Sequence, residues 1–243
     1  MYKCALALCD KYHEGKYLNS KVLFAWVCSL STVIVLGFAP SYFMAYETLS
    51  SLHHIHGLVA FLWISLLCIQ SYLINRGSSL IHKYLGWSSL GVAVIFIITS
   101  SRLYLSTIEL AVQKGIIFQY VYWVDLFLIP LFVFFLVSGF VYRKSPKKHM
   151  LCMLLSLVAI FPPGLGRLIY GLFLYPFNAP IRYFYEPMML VTLGILIFFG
   201  VRERWKYSQI KVALTVVLVS FVSSYWIVTF GAFEVGARWL VGI

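Results

Sequence analysis

The stretch SLHHIHGLVAFLWISLLCIQSYL, Ser51 to Leu73, decides the fold. Three histidines in four residues give way to an almost unbroken apolar run without a single Asp, Glu, Lys or Arg. About 20 such residues match a hydrocarbon core roughly 30 Å thick. In lipid the run must be helical, because only bonds within the segment can satisfy its backbone. On that helix His56, Trp63 and Gln70 recur every seven residues and share one face, with His53 joining at its outer end. The helix therefore turns a polar and aromatic seam toward other helices, while His54 reads as an interfacial anchor.

Working outward, six further apolar runs cover residues 22–40, 84–106, 118–142, 149–172, 186–201 and 209–232, beside the 54–75 run that holds the seam. Of the 243 residues 62% are hydrophobic and 11% charged, with mean hydropathy +0.90. A soluble domain of this length needs a larger polar coat. The expectation is an all-α polytopic membrane protein, a seven-transmembrane-helix bundle in one domain spanning 1–243, with the lipid bilayer as its first partner. Five cysteines without a C-x-x-C pair argue against a disulfide framework, and the polar start MYKCALALCDKYHEGKY argues against a cleavable signal.

The net charge of +11 is a topology signal. With the N-terminus in the cytoplasm, 14 of the 19 lysines and arginines fall inside, leaving Arg102, Lys114, Arg167, Arg182 and Arg238 outside. That asymmetry assigns the basic residues to membrane orientation and anionic lipid contact rather than to nucleic acid. It also puts the C-terminus outside.

Polar groups within spans are costly, so each is a functional candidate. Toward the outer side lie His53, His56, Arg102, Asp125, Arg167 and Glu186; toward the inner side lie Gln70, His82 and His149. Helix three begins HKYLGWSSLGVAV, with His82, Gly86, Ser89 and Ala93 on one face, a stripe suited to close helix packing or to a flat ligand. Helix five reads HMLCMLLSLVAIFPPGLGRLIYG, with His149 and Arg167 on one face. Its Pro162–Pro163 pair removes two N–H donors and frees the carbonyls of Val158 and Ala159, which predicts a kink. Arg167 needs a counter-charge, and Asp125 or Glu186 can supply it. The expected outer chamber gathers His53, His56, Trp63, Arg102, Asp125, Arg167 and Glu186. A metal on His53, His56 and a carboxylate is one occupant, and an anion on Arg167 is the other.

The order HHIHG, Trp63, Gln70, HKYLG, KKHMLCMLL and FPPGLGR resembles a family of bacterial multi-pass proteins known as predicted membrane proteins. Its pattern runs H-x-H-G, W, Q, H-R-x-L-G, H-x-R-L-M, then P-x-x-x-x-R. Here it falls on His54, His56, Gly57, Trp63, Gln70, His82, Leu85, Gly86, His149, Leu151 and Arg167. Lys83 replaces the arginine, and Cys152–Met153 stands where leucine and methionine belong. The resemblance covers roughly residues 53–170 and implies a bacterial inner membrane but no activity. A looser similarity is to transmembrane b-type cytochromes, which hold haem between histidines of neighbouring helices. His82 and His149 are the pair at matching depth.

Three functions stay open: a redox protein holding haem b or a divalent metal through His82 and His149, a transporter or ion-handling bundle using the outer chamber, and an assembly subunit that recruits a membrane partner. Zinc hydrolases with H-x-x-x-H in the last helix and retinal proteins with a mid-helix lysine there do not match. No P-loop, HExxH, G-x-S-x-G or dinucleotide motif is present.

Overall fold

Helix ends fall where the sequence supplies caps and breaks. The Asn19 side chain accepts from Val22 N at 2.9 Å and opens the first helix, and Gly115, at φ +100°, separates the third from the fourth. The computed structural model describes residues 19–241, so Cys4, Cys9, Lys3, Lys11 and Lys16 lie outside the described part. Among the described residues there are nine α-helices and no strand: α1 Ser20–Met44, α2 Ser51–Asn75, α3 Ser79–Lys114, α4 Ile116–Val141, α5 Pro146–Ala159, α6 Phe161–Ile169, α7 Tyr185–Arg202, α8 Ser208–Thr229 and α9 Ala232–Val241. A wide π turn and 3-10 turns fill Tyr170–Phe184.

Six segments are long and apolar enough to cross a membrane unaided, and α5 with α6 makes a seventh bent by 43°. That pair traverses the bundle. His149 at the start of α5 reaches the carbonyl of Gly139 at the end of α4. At the other end, Gly164 of α6 lies against Ile34 of α1, and Gly166 against Phe184 and Met188 at the start of α7. α7 then returns to the first level, where Glu203 and Leu151 line the same small hollow. The chain is thus a multi-pass, all-α membrane protein. Its loops alternate between a basic end, carrying Arg76, Lys83, Arg143 to Lys148 and Arg202 to Lys206, and a far end.

The outer helices bury one stripe each, as Leu23, Val27, Leu30, Ile34 and Gly37 do on α1. They leave large apolar side chains such as Leu58, Phe61, Ile98 and Val137 exposed, as lipid-facing surface requires. α5 differs: from Leu151 to Ala159 every residue except Met153 is buried. It is the central post, packed by α1, α4, α6 and α8, while α1, α2, α3, α4, α8 and α7 follow one another around it.

The expected kink is present. α5 stops at Ala159, and α6 restarts at Phe161 with Pro162 in its first turn, where the missing N–H costs nothing. Two boundaries depart from expectation. α3 runs to Lys114 rather than ending near 106, because nothing breaks the helix before Gly115. At about 1.5 Å per residue its 36 residues reach about 54 Å, well past the hydrocarbon core. The final span ends at Thr229, and the separate helix α9 lays Phe233 and Ala237 against Ile108 of the α3 overhang and Val228 of α8.

Candidate functional site

The α2 seam faces inward as its spacing demands. Trp63 is 1% exposed and meets Phe132 of α4 edge-on at 5.4 Å. His56 stacks on Phe96 of α3 at 5.3 Å, and its Nδ1 lies 3.2 Å from Thr99 Oγ1. Thr99 already donates its one hydroxyl hydrogen to the carbonyls of Ile95 and Phe96. With that hydrogen on a carbonyl, the tautomer protonated at Nδ1 is the one that lets His56 donate to Thr99. The flanking histidines turn elsewhere. His53 Nδ1 meets Ser50 Oγ at 2.7 Å, and His54 Nδ1 meets Tyr42 Oη at 2.7 Å beside the Tyr46 ring. His54 thus packs among tyrosines of α1 and the turn after it.

At the basic end His82 of α3 and His149 of α5 are brought together, with ring centroids 6.1 Å apart and planes at 86°. His149 Nδ1 donates to Gly139 O at 2.8 Å, fixing the ring and leaving Nε2 free. His82 Nδ1 and Gln70 Oε1 are buried without a partner among the described residues. Such orphaned polar atoms are rare in native interiors and mark places where a ligand or water is expected. Two glycines border the pair. A side chain on Gly86 would meet Gln70 Nε2 at 3.5 Å, and one on Gly139 would run into Met153 Cε. Gly139 is also bordered by Cys152 Cβ, which would lie 3.5 Å from such a side chain.

Near the far end, Arg167 of α6 lies within electrostatic reach of both Asp125 of α4 and His56 of α2, and Asp125 within reach of Tyr104 and Tyr122. Arg167 Nη1 donates to Pro163 O at 3.0 Å, and the guanidinium lies over Phe38 at 4.3 Å. Among the described residues no direct ion pair joins Arg167 to Asp125. The expected chamber is therefore smaller than its residue set. Glu186 turns to α8 and accepts from Tyr225 Oη at 3.1 Å, and Arg102 is exposed. Depth alone does not reveal this, because it fixes a residue's level but not the direction its helix faces.

Among the described residues no three His, Cys, Asp or Glu side chains gather as a metal site, so His53 and His56 find no third ligand there. Phe96, Thr99, Tyr104 and Tyr122 were not singled out from sequence. Tyr122 had a readable signal, since it precedes Asp125 by three and shares its helical face. Compared with known proteins, the chain matches no family model, no curated protein and no solved structure.

Proposed function

We propose that this membrane protein holds haem b between His82 and His149 and carries single electrons. The observation that carries the reading is the pairing itself: two imidazoles from different helices, 6.1 Å apart between centroids. His82 and His149 would hold the group, since metal–nitrogen bonds of about 2.0–2.1 Å would fit between two rings at this separation. His149 already donates Nδ1–H to a backbone carbonyl, the arrangement that aims Nε2 at a metal.

The number of ligands favours haem over a divalent ion. A divalent ion such as zinc wants about four protein donors, and only two imidazoles meet here among the described residues. A porphyrin would supply four nitrogens of its own and would need only two donors from the chain, which His82 and His149 would provide. Gly86 and Gly139 place no side chain of their own beside that pair, and the atoms nearest the missing Cβ positions are the ends of Gln70 and Met153. When bound, the haem supplies one-electron redox chemistry. The chain's part is to orient the two rings, exclude water with α5 and hold the site near the basic end, which the positive-inside rule assigns to the cytoplasm of a bacterial inner membrane.

The test is a visible spectrum of the protein purified after expression with haem supplementation. A Soret band is expected, lost in His82→Ala and in His149→Ala and kept in His53→Ala. A colourless wild-type protein would leave the pair as helix-packing imidazoles.

A further inference from the structure

We infer that α9 is an interfacial helix, seated where acyl chains meet headgroups in the leaflet at the far end, with Val235 and Trp239 against lipid. This inference shares no residue with the haem reading and stands independently of it.

Two helices serve as rulers for its depth. α8 starts from the basic end at Ser208, and Val228 lies 20 residues along it, about 30 Å at 1.5 Å per residue. The apolar run of α3 opens at Tyr84, and Ile108 lies 24 residues further on, about 36 Å away. An ordinary tilt of about 20° shortens either distance by only about 6%. Against a hydrocarbon core roughly 30 Å thick, both residues stand at its far edge or just beyond. α9 buries Phe233 and Ala237 in one cluster with these two, and Tyr104 packs against the same cluster. The helix cannot leave that level, because only Phe230 and Gly231 separate it from the end of α8.

Around its axis, at about 100° per residue, the side chains sort into distinct sides. Phe233 and Ala237 form the side on the protein. Glu234 and Arg238 form a ridge about 100° away, bridged at 2.8 Å, and they are the only charges on the helix. Val235 and Trp239, 69% and 81% exposed, form a second ridge opposite the protein side. Leu240, also exposed, lies roughly opposite the charged ridge.

That order suits one environment. In water, Val235, Trp239 and Leu240 would stay hydrated with no gain. Deep in the acyl chains, Glu234 and Arg238 would lose their water. At the boundary the charged ridge faces water, the apolar sides face lipid or protein, and the indole occupies the zone it favours. The surface is also continuous with one that the bilayer already covers. On α8, Val222, Trp226 and Phe230 recur every four residues, all exposed, with Trp226 stacked on Phe230 at 5.8 Å. This lipid-facing stripe runs up to the turn from which α9 departs. Because Glu234 and Arg238 cancel, the contact rests on apolar burial and not on anionic headgroups.

The experiment uses the full chain in nanodiscs. The difference between wild type and Trp239→Phe isolates the emission of Trp239 among the seven tryptophans. Lipids brominated on their acyl chains near the headgroup should remove most of that emission. Lipids brominated near the chain ends should remove less, and iodide in the water should remove little. The matching Trp226→Phe difference calibrates the measurement on a lipid-facing indole of α8. Phosphatidylcholine and phosphatidylglycerol discs should give the same bromolipid quenching. Val235→Trp adds a probe on the same ridge, which should gain a bromolipid-quenched component and keeps the test decisive if circular dichroism shows Trp239→Phe misfolded.

Trp239 emission open to iodide and untouched by bromolipid would put α9 in water. Emission reached by neither quencher would put the ridge under another protein surface, a second copy of the chain included. Either result overturns the proposal, and so does quenching confined to anionic discs.

Discussion

The crossing of α1 and α6 brings backbone against backbone, and α6 carries Arg167. Gly37 and Gly164 pack backbone to backbone there, so that a side chain on Gly37 would run into the Gly164 carbonyl. A methyl on Gly164 would meet Ile34 Cα at 2.8 Å, where ordinary contact begins at 3.4 Å. In Gly164→Ala, α6 must therefore retreat by at least about 0.6 Å, the difference of those two distances. A gap of that size forfeits roughly a quarter to a half of each atom-pair attraction of about 0.1–0.2 kcal/mol. Over roughly 40 pairs the loss is about 2 kcal/mol, inside the usual range for overpacking. The comparison variant is Gly91→Ala, whose methyl meets nothing within 4 Å. Both variants gain the same helix propensity, which cancels in the difference. At about 2–4 °C per kcal/mol, melting followed by circular dichroism in detergent should separate them by about 4–8 °C, with Gly164→Ala the lower. Equal melting temperatures would refute the tight crossing.

Reporter fusions after Ser145 should read as cytoplasmic and fusions after Gly115 as external, because the loops at the Ser145 level carry most of the lysines and arginines. Tyr185→Phe should lower stability by about 1 kcal/mol in a chemical denaturation series, since the buried Tyr185 Oη lies 2.7 Å from Ser224 Oγ, which keeps its bond to Phe221 O. Arg238→Ala should change stability by no more than about 0.5 kcal/mol, because its bridge to Glu234 at 2.8 Å is exposed and local. His56→Ala should leave a Soret band intact while exposing the Phe96 face, so a lost band would place haem against the seam instead.

Spacing along a single helix proved readable. The inward turn of His56, Trp63 and Gln70, the break at Pro162 and the matching depth of His82 and His149 all follow from period and position. Relations that depend on how two helices rotate against each other did not. Asp125 and Glu186 were expected at similar depth, yet Asp125 comes within electrostatic reach of Arg167 while Glu186 goes to Tyr225 on the neighbouring helix. Thr99 as the partner of His56 needs the register of α2 against α3, which no pattern in either helix states. The α3 overhang was hidden because the apolar run ends before the helix does. α9 escaped notice because ten residues with a Glu234–Arg238 pair look like a polar tail until Ile108 is there to cover.

The central placing of α5 bears on how the protein is made. A helix buried on nearly every side has no lipid-facing surface to offer when it leaves the translocon. This one also opens with Lys147, Lys148 and His149 and stops after 14 residues, too short to span by itself. It is therefore a poor solitary passenger in the bilayer, and the helices synthesised before it, α1 and α4, must already stand ready to receive it. α7 and α8 emerge later and shut the ring behind it. A nascent chain halted after α6 should accordingly keep its newest segment beside the insertion machinery, releasing it only when α8 has followed.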